Sequence, residues 1–105
     1  MRIIPTEFPL LKVLGTEVLD RAKKAHGDLT ASVATWLAIA RESKWTSLND
    51  VRHTWRNTDC VKGQTIFNIK ANRYRLIAVV NYASQTIVVK MLLTHAEYSS
   101  GGWQS

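Results

Sequence analysis

The sequence predicts an α+β domain in which N-terminal helices pack on a small antiparallel β-sheet. Three observations carry that expectation. Apolar residues recur every three to four positions between Val18 and Ala40, the period of an amphipathic helix. From Gln64 onward the pattern changes to runs of β-branched and aromatic residues separated by turn residues, which reads as strands in hairpins. The 105 residues are 46% hydrophobic and 21% charged, enough apolar material for one core and too much for a disordered chain. A single domain spanning residues 1–105 follows, with helices gathered on one face of the sheet.

The elements are expected in this order. Arg2-Ile3-Ile4 has the character of a short strand that Pro5 ends or confines to a sheet edge. Residues 5–15 resist assignment because of Pro5, Pro9 and Gly15, although Leu10, Leu11, Val13 and Leu14 need burial. Thr16 is placed as the N-cap of a helix carrying Val18, Leu19, Ala22 and Ala25 inward and stopping near Gly27. Asp28 is placed as the cap of a second helix, whose Leu29, Val33, Trp36, Leu37 and Ala40 share one face. Ser47 to Arg52 suits one or two helical turns. Residues 53–63 carry no period and read as a loop ending in Lys62-Gly63. Strands follow at Thr65 to Ile69, Tyr74 to Tyr82 and Thr86 to Leu93, with turns at Ala71-Asn72 and Ala83-Ser84-Gln85. Ser99 to Ser105 is a polar, Gly-rich tail.

Composition narrows the class of protein. One cysteine, Cys60, excludes an internal disulfide framework and a multi-cysteine zinc site. No apolar run approaches the roughly 20 residues of a membrane span, and the N-terminal apolar run is too short for a secretory signal. A reduced, cytoplasmic domain with no membrane association is the expectation. Fourteen Lys and Arg against eight Asp and Glu give a net charge of +6. The window Arg41 to Arg75 holds eight of the bases and three of the acids, and so carries +5 of that total. Such a concentration draws polyanions; a solvated basic surface is the plainer alternative.

Strand pairing then locates the candidate site. With Ala71-Asn72 as a two-residue turn, Lys70 pairs with Arg73, Asn68 lies opposite Arg75, and Phe67 lies opposite Leu76. With Ala83 to Gln85 as a three-residue loop, Tyr82 pairs with Thr86 and Arg73 falls opposite His95. Alternation collects Asn68, Lys70, Arg73, Arg75 and His95 on one face. Phe67, Ile69, Tyr74, Leu76, Ala78 and Val80 form the opposite, core face. A change of one residue in either turn moves a whole strand to the other face. Arginine forks bind phosphate and stabilise extra charge on a phosphorane; histidine moves protons near neutral pH, and Tyr98 donates a proton or stacks. There is no P-loop, carboxylate pair, His-x-x-x-His spacing or serine nucleophile elbow, so no metal or other cofactor is expected.

The stretch Phe67-Asn68-Ile69-Lys70-Ala71-Asn72-Arg73-Tyr74-Arg75-Leu76, followed by Thr94-His95-Ala96-Glu97-Tyr98, closely resembles the HigB-type toxins, RelE-like mRNA interferases of bacterial type II toxin–antitoxin systems. Met1-Arg2-Ile3-Ile4 and the Trp45 to Cys60 segment fit that family more loosely. The resemblance covers about two-thirds of the chain by pattern. It implies the RelE-like fold and metal-independent RNA cleavage, in which a 2′-hydroxyl attacks the adjacent phosphate and leaves a 2′,3′-cyclic phosphate. It also implies a HigA-type helix-turn-helix antitoxin as partner, with operator DNA contacted only through that antitoxin. Position by position, Arg73 and Arg75 match the family's basic strand positions, His95 and Tyr98 its C-terminal motif, and Lys62 a basic residue before the hairpin. Two departures are visible. Ser99 stands where the family usually has an acidic residue, and Thr6 to Gly27 matches the usual first helix poorly.

The reading adopted is a toxin that cleaves mRNA on the ribosome and so inhibits translation. Arg75, Arg73, His95, Tyr98 and Lys62 are its candidate catalytic residues, and Asn68, Lys70, Lys90 and Arg56 its candidate RNA-binding residues. The alternative is a non-catalytic RNA- or ribosome-binding module using the same basic face. A DNA-binding regulator is a third reading, weakened by the lack of a basic recognition helix. Trp36 and Trp45 are expected to pack in the core. Trp55 and Trp103 either stack on bases or pack, Asn72 serves turn geometry, and Cys60 receives no role.

Overall fold

The computed structural model describes residues 11–104. Strand β1 (Lys12–Leu14) leads into helices α1 (Thr16–Ala25) and α2 (Thr30–Glu42), separated by a 3-10 turn at Gly27–Leu29, and then α3 (Leu48–Thr54). Strands β2 (Thr58–Val61), β3 (Gln64–Ile69), β4 (Tyr74–Asn81) and β5 (Thr86–Thr94) follow, and a short helix α4 (His95–Ser100) closes the series before a second 3-10 turn. The sheet order is β1-β5-β4-β3-β2. Strands β3 to β5 are antiparallel, as expected; β2 adds an unexpected antiparallel strand beside β3, and β1 joins β5 in parallel, so the sheet is mixed. The Arg2-Ile3-Ile4 strand and Leu10 lie outside the described residues.

The core lies between the helices and one sheet face. Leu29, Val33, Trp36 and Ala40 of the α2 region bury against Phe67, Ile69, Leu76 and Ala78, all at most 1% exposed. Phe67 meets Trp36 edge-on at 5.2 Å and stacks with Trp45 at 5.9 Å, so both tryptophans are packing residues. The alternation read from the sequence holds for β3 and β4, and each full burial removes an apolar side chain worth ~1.5–3 kcal/mol from water.

Several local expectations are corrected. Gly15, not Thr16, occupies the N-cap of α1, with φ at 80°. A Cβ added there would lie 2.5 Å from the Val89 carbonyl oxygen, so the chain passes so close to β5 that only glycine fits. Ala25 is exposed, and Leu14 is 45% exposed. Asp28 does not cap α2; it sits in the preceding 3-10 turn, where its carboxylate accepts hydrogen bonds from the Tyr74 hydroxyl at 3.0 and 3.3 Å. Residues 53–63 are not one loop. They hold the end of α3 and all of β2, which pairs with β3 through the two-residue turn Lys62-Gly63, both residues left-handed. That is the conformation a tight hairpin turn demands.

Both expected hairpin turns are one residue or more too short, yet the register at the candidate site is right. Ile69 and Tyr74 form the last pair of β3 and β4, leaving a four-residue turn in which Lys70, Ala71 and Asn72 are all left-handed. Asn68 still faces Arg75 and Phe67 still faces Leu76. Between β4 and β5 the closing pair is Asn81 with Thr86 rather than Tyr82 with Thr86. A bulge at Lys90 then shifts the ladder by one, so that Ile77 pairs with Met91 and Tyr74 with Thr94. The two offsets cancel. Arg73 ends opposite His95, whose N–H donates to the Arg73 carbonyl at 2.9 Å.

Candidate functional site

The face of the sheet turned away from the helices carries the row Asn68, Arg75, Leu93, one residue from each of three neighbouring strands. The next row, Ile66, Ile77 and Met91, is apolar, and its first two members are buried. A groove of about 330 Å³ opens over this region, lined by Arg56, Asn57, Thr58, Asp59, Ile66, Asn68, Arg75 and Tyr98. Ile66 supplies an apolar floor, while the walls carry two arginines, two asparagines, Thr58, Tyr98 and one carboxylate, Asp59.

Arg75 is held from two directions. Its Nη1 donates to the Asn72 carbonyl at 2.8 Å and to the Tyr74 carbonyl at 3.4 Å. Its guanidinium carbon lies over the Tyr98 ring, 5.2 Å from the centroid, a cation–π contact. None of the ion pairs among the described residues involves Arg75. The groove's one carboxylate, Asp59, is 3.9 Å from Arg52, whose Nε also donates to the Thr58 carbonyl at 3.1 Å. The Arg75 charge is therefore fixed in place with guanidinium donors left over, the state in which an arginine recognises an anion at least entropic cost.

Tyr98 comes from α4, a helix the sequence reading did not anticipate. Thr94 is its N-cap. The Thr94 hydroxyl accepts from the Glu97 N–H at 3.1 Å, and the Glu97 carboxylate accepts from the Thr94 N–H at 2.8 Å. This capping box is written in the sequence as Thr94-His95-Ala96-Glu97, the one signal that would have revealed the helix. Gly101, at φ 82°, ends it in the left-handed conformation. The chain then turns back so that the Trp103 ring stacks on Tyr98 at 5.0 Å and 17°, with its Nε1 donating to the Tyr98 carbonyl at 2.9 Å. Trp103 thus packs on a candidate site residue.

The remaining candidates are distributed as follows. Arg73 and His95 are exposed and joined through their backbones at the end of β4 and β5, beside the groove and not among its lining residues. Lys70 does not share the Arg75 face. Its left-handed backbone sends the side chain to the helix side, where Nζ donates to the Asp28 carbonyl at 3.0 Å and pairs with the Asp28 carboxylate at 3.4 Å. The Tyr74 hydroxyl bond, foremost, and Lys70 hold the Asp28 carboxyl below the usual range. Lys62 occupies the tip of the β2–β3 turn, four residues of β3 beyond the Asn68 level, or about 13 Å along the strand. Lys90 is the exposed bulge residue of β5. Trp55 is half-buried, with its Nε1 donating to the Asn68 carbonyl at 2.8 Å, which steadies the strand beneath the groove. Asn57, Thr58 and Asp59 were missed because β2 was read as loop; the mirror-image fit of Thr58–Val61 to Gln64–Phe67 about Lys62-Gly63 would have exposed them.

Among the described residues no three His, Cys, Asp or Glu side chains converge as a metal site would require. None of the described helices is long and apolar enough to cross a membrane.

A mixed sheet with helices on one face and a groove lined by Arg56 and Arg75 on the other defines an α+β domain. Residues 29–101 match the family model HigB_toxin, described as the RelE-like toxic component of a toxin-antitoxin system. The chain belongs to that family. It is a toxin of a toxin–antitoxin system and has an antitoxin as its partner. The match starts at Leu29, after α1, in keeping with the poorer fit of Thr6 to Gly27. No curated protein matches the chain.

Proposed function

We propose that this toxin is an mRNA endoribonuclease that acts on the ribosome in the cytoplasm and stops translation. The observation that carries the reading is Arg75: a guanidinium fixed by two carbonyls and a tyrosine ring, without an acidic partner, in a groove shared with Asn68 and Arg56. Such a group suits the phosphate at which a chain is cut, because preorganised charge favours a phosphorane over the ground-state diester.

In the proposed reaction the 2′-oxygen of one nucleotide attacks its own 3′-phosphorus. The new P–O bond closes a 2′,3′-cyclic phosphate as the bond to the next nucleotide's 5′-oxygen breaks. The 2′-hydroxyl gives its proton to a base, and the departing 5′-oxygen takes one from an acid. His95 and Tyr98, on the first and fourth residues of α4, are proposed for these transfers, with Arg75 and Arg73 on the phosphate. Asn68 and Arg56 orient the flanking RNA, and Lys90 adds to its attraction, whereas the Lys70 charge is taken up by Asp28. Lys62, at the hairpin tip, assists placement rather than proton transfer. A HigA-type antitoxin is the proposed neutralising partner.

Primer extension on a defined mRNA, with and without translating ribosomes, tests this reading against a folded Arg75→Ala variant. New 5′ ends with ribosomes that fall by about 10²-fold or more in the variant are the expected result. Ends on bare RNA as well would make it a free endoribonuclease. No ends from folded protein on translating ribosomes would leave a binding module without cleavage.

A further inference from the structure

We propose that α3 carries a second RNA-binding groove, which takes the phosphate backbone of a single strand as it leaves the Arg75 site. The inference rests on the ribonuclease reading for the identity of the polyanion. Its own basis is a groove of about 430 Å³ lined by Asn49, Arg52, His53 and Arg56. Asn49, Arg52 and His53 stand at positions i, i+3 and i+4 of α3 and so share one helix face, opposite the inward Val51, which is fully buried. None of the four lining residues is acidic, and all four are exposed.

Continuity with the candidate site comes through Arg56. It lines the Arg75 groove, the α3 groove, and a third groove of about 280 Å³ between Trp55 and the Lys70–Asn72 turn. An isolated basic patch would explain one of these; a side chain common to all three marks a path. Arg52 is anchored by the Thr58 carbonyl and Asp59, which fixes one side of its fork in advance. The nearest carboxylate on α3, Asp50, is engaged by the Thr46 N–H at 2.9 Å and by the Thr46 hydroxyl. Trp55 borders the middle groove with its N–H already committed to Asn68, so what it offers a ligand is ring surface for a base to stack on. Cationic and amide donors joined to an aromatic wall fit a nucleotide chain; an acidic peptide would leave the Trp55 wall unused.

The test measures binding without cleavage. A fluorescein-labelled 2′-O-methyl uridine oligonucleotide of about 12 nucleotides, within the site sizes of single-strand grooves, has no 2′-hydroxyl to attack. Its anisotropy is followed across a salt series, beside a tetramer long enough for the Arg75 groove alone. Arg56→Ala should weaken the long probe and lower its log–log salt slope by about 0.7, the value for one lost phosphate contact. The pair Asn49→Asp with His53→Ala should weaken the long probe at least threefold and leave the tetramer unchanged. Equal affinity of wild type and both variants for the long probe overturns the proposal. So does a loss seen only with the purified antitoxin, since the groove would then serve a protein. Absence of cleavage on ribosomes together with these binding losses would reject the ribonuclease reading and retain the groove.

Discussion

The guanidinium carbon of Arg75 lies over the ring of Tyr98, 5.2 Å from its centroid, although 22 residues separate them. One belongs to β4 and the other to α4, so the contact exists only once the β4–β5 register and the α4 cap are both in place. Trp103 stacks on the same ring, making Tyr98 a positioned side chain rather than a mobile surface one.

Tyr98→Phe keeps the ring and both stacking contacts while removing the hydroxyl. If the hydroxyl transfers a proton, ribosome-dependent cleavage should fall by about 10²-fold or more, with the melting temperature unchanged. Trp103→Ala should instead cost about 1 kcal/mol of stability, the worth of an aromatic pair, read from urea unfolding. Equal cleavage by Tyr98→Phe and wild type would confine Tyr98 to holding Arg75.

Gly15→Ala should be among the most damaging small substitutions. It combines a left-handed φ of 80° with a Cβ 2.5 Å from the Val89 carbonyl oxygen, and backbone in a strand has no room to yield. A loss of at least ~2 kcal/mol in urea denaturation is expected. Gly63→Ala, where the added Cβ meets nothing within 4 Å, should cost about 1 kcal/mol from its φ alone.

Ala71 sits at φ 50° between two other left-handed residues. Ala71→Gly removes the Cβ penalty there and should raise stability by about 1 kcal/mol, net of the added freedom of the unfolded chain. Thermal unfolding of the two proteins measures it directly; a lower melting temperature would mean that Ala71 bears no strain.

Asp28 ties the Lys70 turn to the start of α2 through Tyr74 and Lys70. Because its folded carboxyl titrates below the usual value, its contribution is present above the unfolded pKa of about 3.9 and is lost as the pH falls through the folded value. Asp28→Asn should therefore be less stable than wild type at neutral pH, with the difference shrinking below about pH 4. At the other end, burial and the Asp28 carboxylate push the Tyr74 hydroxyl above its ordinary value. The unfolded tyrosine ionises first, so stability should decline as the pH rises past about 10.

Within the described residues, the local pattern of apolar and polar side chains was enough to determine the helix-then-sheet order, the core face of β3 and β4, and the pairing of Asn68 with Arg75. These follow from periods of two and 3.6 residues, which are properties of neighbouring side chains. Thr94 to Glu97 also spells a capping box, a local signal for the start of α4. Tertiary structure alone decided the rest. The bulge at Lys90 brings Arg73 opposite His95 despite a longer β4–β5 turn, and no local pattern announces an extra residue in a ladder. The parallel docking of β1 depends on how closely Gly15 approaches Val89. Lys70 was assigned by alternation to the Arg75 face, but three left-handed residues break alternation and hand its charge to Asp28. Which of the many bases stays free for a ligand is thus a matter of distant partners and backbone handedness, and neither is a property of the residue or of its neighbours in sequence.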